Sequence, residues 1–245
     1  MVHKKSTYIG RVFGIPIDVD YSWYFIFILL TWLLSAQYFP VHYPNWTNLT
    51  YWILGSLTSL FLFVSVLLHE LGHSAAAKFF KIPVTKITLM IFGGIAQIAR
   101  NPKKAGQEFW IAISGPVVNL ILWAVFHSLA SLFSSVSGIY AFCTYLAYIN
   151  IVLAVFNLVP GFPLDGGKVL LALIWGFNHN LKKATIIAAN IGRIFAFLFI
   201  LWGALSITIG DIYDGLWLIF IGWFLDSAAA VEIHKTYQTH SNEAI

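Results

Sequence analysis

Residues 67–76 read LLHELGHSAA and lie inside an apolar run that begins near Tyr51. An ionisable side chain at the centre of a bilayer costs roughly 2.5 kcal/mol or more unless it is paired, wetted or coordinated. Three of them within five residues therefore call for a compensating interaction. His69, Glu70 and His73 form H-E-x-x-H. On a helix, positions i and i+4 share a face, so both imidazoles can reach one zinc ion. Glu70 projects beside them, where it can take a proton from a zinc-bound water.

The run around the motif is one of six. Apolar stretches long enough to span, at about 20 residues each, fall at 21–39, 52–80, 109–133, 139–159, 185–209 and 212–231. Of the 245 residues, 59% are hydrophobic and only 10% charged, where a soluble domain carries about a quarter. The expected fold is an all-α polytopic membrane protein in a lipid bilayer. A shorter apolar stretch, 169–177, follows PLDGG and reads as a half-helix or re-entrant segment.

Loop charge agrees with this division. PVHYPNWTNLT (40–50) and SSVSG (134–138) carry no Lys or Arg, and the fifth turn carries only Asp211 and Asp214. Lys78, Lys81, Lys86, Arg100, Lys103 and Lys104 separate the second and third runs, and Lys182 and Lys183 precede the fifth. Basic loops alternate with each crossing, which predicts a multi-pass protein of the cell membrane with both termini cytoplasmic. The net charge of +4 is spread between apolar runs, so no nucleic-acid partner is expected. Cys143 is the single cysteine and lies in an apolar run, so no intrachain disulfide can form.

Between Lys81 and Ala99 the pattern changes. VTKITLMIFGGIAQI (84–98) is rich in β-branched residues around a glycine pair and predicts a short β-hairpin between the second and third spans, either membrane-associated and buried in protein or a cytoplasmic connecting hairpin. An edge strand near residues 87–91 could take up a further extended backbone by β-addition. The last residues, HKTYQTHSNEAI (234–245), are polar and read as a frayed tail after a six-span domain over 1–233.

Two histidines do not complete a catalytic zinc site, which uses three protein ligands. The candidate for the third is Asp165 in NLVPGFPLDGG (157–167). Pro160 and Pro163 break the fourth helix, and the glycines after Asp165 suit a tight turn, so a carboxylate is expected on irregular backbone facing a cavity or a metal. His69 lies roughly 27 Å along its helix from Tyr51, at a matching depth. A metal transporter would instead string ligands through several spans. A di-iron hydroxylase would need further histidine clusters, which His3, His42, His127, His179, His234 and His240 do not form.

HELGH in the second span, FGG (92–94), GPVVN (115–119) and NLVPGFPLDGG together resemble the site-2 protease family of intramembrane zinc metalloproteases, over nearly the whole chain. The likeness is to the six-span prokaryotic subgroup that often carries C-terminal CBS domains; this sequence stops after the sixth span. The resemblance implies one zinc ion on His69, His73 and Asp165, with Glu70 as general base and Asn157 near the scissile carbonyl, stabilising the oxyanion. It further implies substrate binding by Phe92, Gly93 and Gly94. Asn119 either joins them in the cavity or bonds between helices. The implied activity is regulated intramembrane proteolysis, a zinc metalloendopeptidase cutting transmembrane protein substrates.

Overall fold

The computed structural model describes residues 6–91 and 93–242. Among the described residues, six helical segments are long and apolar enough to cross a membrane: Tyr21–His42, Asn48–Phe79, Ala105–Leu132, Ser137–Asn157, Leu181–Thr208 and Ile212–Gln238. They coincide with the six runs expected from hydropathy. The chain divides into two compact units, Met1–Asn101 with Ser114–Ala154, and Pro102–Ile113 with Val155–Ile245.

The first unit contains a four-stranded sheet, β1 (Ser6–Val12), β2 (Ile15–Asp20), β3 (Val84–Met90) and β4 (Gly93–Ile98), in that spatial order. The expected hairpin is β3–β4. The hairpin β1–β2 is an addition to it, and β2 joins β3 in parallel. Its turn is Phe13-Gly14, both with positive φ (50° and 77°), as two-residue hairpin loops require. In β2, Ile15, Ile17 and Val19 alternate inward and are buried. Ile15, Ile17 and Ile87 form a core against Leu67, just before the H-E-x-x-H motif, and Leu71, within it. The sheet is thus anchored to the helical turn that carries the motif. Because β3 has neighbours on both sides, its backbone is already paired. β-Addition along residues 87–91 is therefore excluded, and the open edge beyond β3 belongs to β4.

Helix α1 (Tyr21–Leu33) starts with the Asp20 carboxylate accepting from the Ser22 amide at 2.9 Å. A π-helical turn, Leu34–Tyr38, precedes α2 (Phe39–His42). Pro40 explains it, since its ring nitrogen has no hydrogen to give the preceding turn. Helix α3 (Asn48–Phe79) is capped by Thr47 and packs closely on the π turn, where a Cβ on Gly55 would strike Ser35. Helix α4 is Ala105–Leu132 and α5 is Ser137–Asn157. Asn150 of α5 donates to Ser65 of α3 at 3.1 Å, a buried bond between helices.

In the second unit, α6 (Asp165–Asn178) is the short apolar segment, α7 is Leu181–Thr208 and α8 is Ile212–Asn242. Helices α7 and α8 pack with almost no side chain between them at Gly203, Gly215 and Gly222, the close approach that small residues allow between membrane helices. Arg193 of α7 pairs with Asp226 of α8 at 2.7 Å. Helix α8 continues through residue 242, so the polar segment after 233 is helical rather than frayed as far as it is described.

Candidate active site

The motif lies in α3, its first histidine ten residues before the helix's last residue, Phe79, and its pattern folds as the sequence predicts. His69 and His73 are buried, at 6% and 8% exposure, and their Nε2 atoms approach to 3.1 Å. Two ligands of one tetrahedral zinc, each about 2.0–2.1 Å from it, sit roughly 3.3 Å apart. The pair therefore fits one ion.

Two glycines build the space around the pair. A Cβ on Gly115 of α4 would strike Nε2 of His73 and lie 2.7 Å from Nε2 of His69. Glycine there keeps open a spot flanked by both donors. Gly72, the glycine of the motif itself, lets α4 approach, because a Cβ would lie 2.9 Å from the Ser114 carbonyl oxygen and 2.8 Å from Val118. Neither role is legible from spacing alone, although Gly115 stands in a quoted motif.

Glu70 is half-buried and faces the sheet. Its Oε2 accepts from the Ala96 amide of β4 at 3.2 Å. A Cβ on Gly94 would land on its Cγ. Gly93, by contrast, has φ of 118° and needs glycine for its backbone. Asn119 is 1% exposed, and its Oδ1 has no hydrogen-bond partner. It makes no hydrogen bond between helices through that atom. Phe92 lies outside the described residues.

Asp165 and Asn157 belong to the second unit. Asp165 is 6% exposed and is the first residue of α6, with Leu164 as the N-cap. It thus sits on regular helical backbone rather than on an irregular loop. The glycines after it do not make a turn. A Cβ on Gly166 would strike the carbonyl oxygens of Leu158 and Val159, and one on Gly167 would lie 2.7 Å from the Phe162 nitrogen. Their absent side chains let the first turn of α6 press against the Pro160–Pro163 turn, which contains a cis Phe162–Pro163 bond. That turn is held in place from α7, where Gly161 and Gly192 meet backbone to backbone. Asn157 is the last residue of α5 and half-buried.

The model of Peptidase family M50 matches residues 57–136 and 129–201. A Synechocystis protein named "Putative zinc metalloprotease" is 40% identical over 222 residues, covering 91% of this chain and 58% of its own length. A zinc metalloprotease of Methanocaldococcus jannaschii is 34% identical over 215 residues, covering 88% and 59%. The chain thus spans under two thirds of the length of these two relatives. Among solved structures, a site-2 protease from Methanocaldococcus jannaschii superposes with a TM-score of 0.59 at 32% identity, covering 93% of this chain and 95% of that one. With its six apolar helices, its H-E-x-x-H pair and these matches, the chain belongs to peptidase family M50, the site-2 protease family, and is a multi-pass membrane protein.

Proposed function

We propose that this chain is an intramembrane zinc metalloendopeptidase that hydrolyses peptide bonds within or near the transmembrane segment of a membrane-protein substrate. The observation that carries the reading is the buried Nε2 pair at 3.1 Å, with Glu70 beside it, on a helix apolar enough to span. His69, His73 and Asp165 hold one zinc ion in this proposal. Two imidazoles and a carboxylate are a donor set that leaves a fourth position open, and all three side chains are buried. The names of the relatives, zinc metalloproteases, support the choice of metal.

Zinc, when bound, supplies Lewis acidity toward a water and a carbonyl oxygen. The chain supplies the rest. Glu70 accepts the proton from the attacking water on its carboxylate and returns it to the leaving amine nitrogen, so that one water is added across the bond and the base is regenerated. Asn157 donates an amide N–H to the carbonyl oxygen as charge develops there. Burial of the histidines and Asp165 keeps bulk water away from these groups, which strengthens each interaction.

The basic loops support an orientation with both termini in the cytoplasm of the cell membrane. A fluorescent reporter that folds only in the cytoplasm, fused at the C-terminus, should therefore light up, and a dark fusion would reverse the orientation. The function itself is tested by zinc content and cleavage of a membrane-spanning peptide, wild type against Glu70→Gln. Zinc should be retained and cleavage lost by roughly 10²–10⁴-fold. Cleavage that survives the substitution overturns the mechanism.

A further inference from the structure

We infer that strand β4 is the positioning element for Glu70: Gly94 leaves the room its side chain occupies, and the Ala96 amide holds its carboxylate. This rests on Glu70 being the general base. A glutamate on a helix surface has three free torsions, whereas a general base must stay within about 2.6–3.2 Å of the proton it takes. Something has to select one rotamer.

The strand is suited to that task in three ways. The Ala96 amide donates to Oε2 at 3.2 Å, across 26 residues of sequence. That amide therefore points away from β3, on the side where an edge strand makes no ladder bonds. A carboxylate accepting from an outward backbone N–H makes a charge-assisted bond, and 3.2 Å is at the long end for one. Next, a Cβ on Gly94 would fall on Cγ and lie 3.1 Å from Cδ and 3.3 Å from Oε1. Glu70 thus runs across the bare face of this residue. Finally, the distance between strand and helix is not set by Glu70. It is set by Ile15, Ile17 and Ile87 packing on Leu67 and Leu71, with Ala96 against the same cluster. The support is rigid before the carboxylate reaches it.

Gly93 and Gly94 consequently have different jobs. Gly93 needs its positive φ, while Gly94 lies outside the left-handed region, so alanine at 94 perturbs space and not backbone. The added methyl displaces a mid-chain atom of Glu70 and forces the carboxylate into another rotamer. A positioning role predicts a loss in kcat. The substrate-binding role implied by family resemblance predicts a rise in KM instead.

The test uses the full chain in lipid nanodiscs with a membrane-spanning peptide substrate. Gly94→Ala should lower kcat at least 10-fold, with KM within twofold and zinc content and thermal unfolding as in wild type. Ala96→Pro removes the outward amide, which edge strands tolerate, and should lower kcat in the same way by several-fold. If Gly94→Ala fails to fold, Ala96→Pro decides alone. A rise in KM at unchanged kcat, or wild-type kinetics in the folded variants, overturns the inference. Undiminished cleavage by Glu70→Gln would instead remove the base assignment on which it rests.

Discussion

Gly115→Ala is the sharpest probe of the histidine pair. The new Cβ would lie 2.7 Å from Nε2 of His69 and closer still to that of His73. Unstrained contact needs about 3.5 Å, so the pair must give way by about 0.8 Å or more. Helix α4 cannot retreat easily, because it is seated on Gly72, where even a Cβ would be 2.9 Å from the Ser114 oxygen. The imidazoles must move instead. Metal–ligand distances tolerate only about 0.2 Å, so in the proposed zinc site at least one nitrogen would leave the ion. Removing even an outer-shell partner weakens metal binding by about 10–100-fold. A displaced ligand should therefore cost at least about 100-fold in zinc affinity, or about 2.8 kcal/mol at roughly 1.4 kcal/mol per tenfold. Competition with a chromophoric chelator gives the affinity, and far-ultraviolet circular dichroism checks that the helices remain. Zinc affinity within twofold of wild type, in a variant with unchanged helicity, would refute the reasoning.

Two further perturbations test the second unit. Arg193 and Asp226 pair at 2.7 Å with Arg193 about 18 Å along α7. Arg193→Leu should destabilise by about 2.5 kcal/mol in steric-trap unfolding, and adding Asp226→Leu should recover most of it. A single variant as stable as wild type would mean that water, not the partner, solvates Asp226. Gly203→Val places a Cβ 2.5 Å from the Gly215 carbonyl oxygen and 2.9 Å from the Ile219 nitrogen. The expected cost is about 1–3 kcal/mol of overpacking, read as an earlier thermal transition, and an unchanged transition would show that α7 and α8 separate freely.

The sequence by itself determined the features that depend on neighbours along the chain. The six spans follow from uninterrupted apolar runs, because every backbone group in lipid must be satisfied within its own helix. The facing histidines follow from the i, i+4 geometry of that helix. The β3–β4 hairpin was legible from its glycine pair. The alternation Ile15, Ile17, Val19 encodes β2 as well, but it runs directly into the apolar span that begins at Tyr21, which masks its period.

Tertiary structure decided what depends on distant residues. Strand order is one case: β3 is interior because β2, about 70 residues earlier, pairs with it, and this moved the open edge to β4. Glycine roles are another. Gly72, Gly94, Gly115, Gly166 and Gly167 are explained by what would collide with a side chain there, not by turns. Asp165 likewise proved to start a helix, since prolines before it end one helix without saying where the next begins. Periodicity reports which face a residue occupies. How closely another element approaches that face is set by packing across the fold, and no local pattern encodes it.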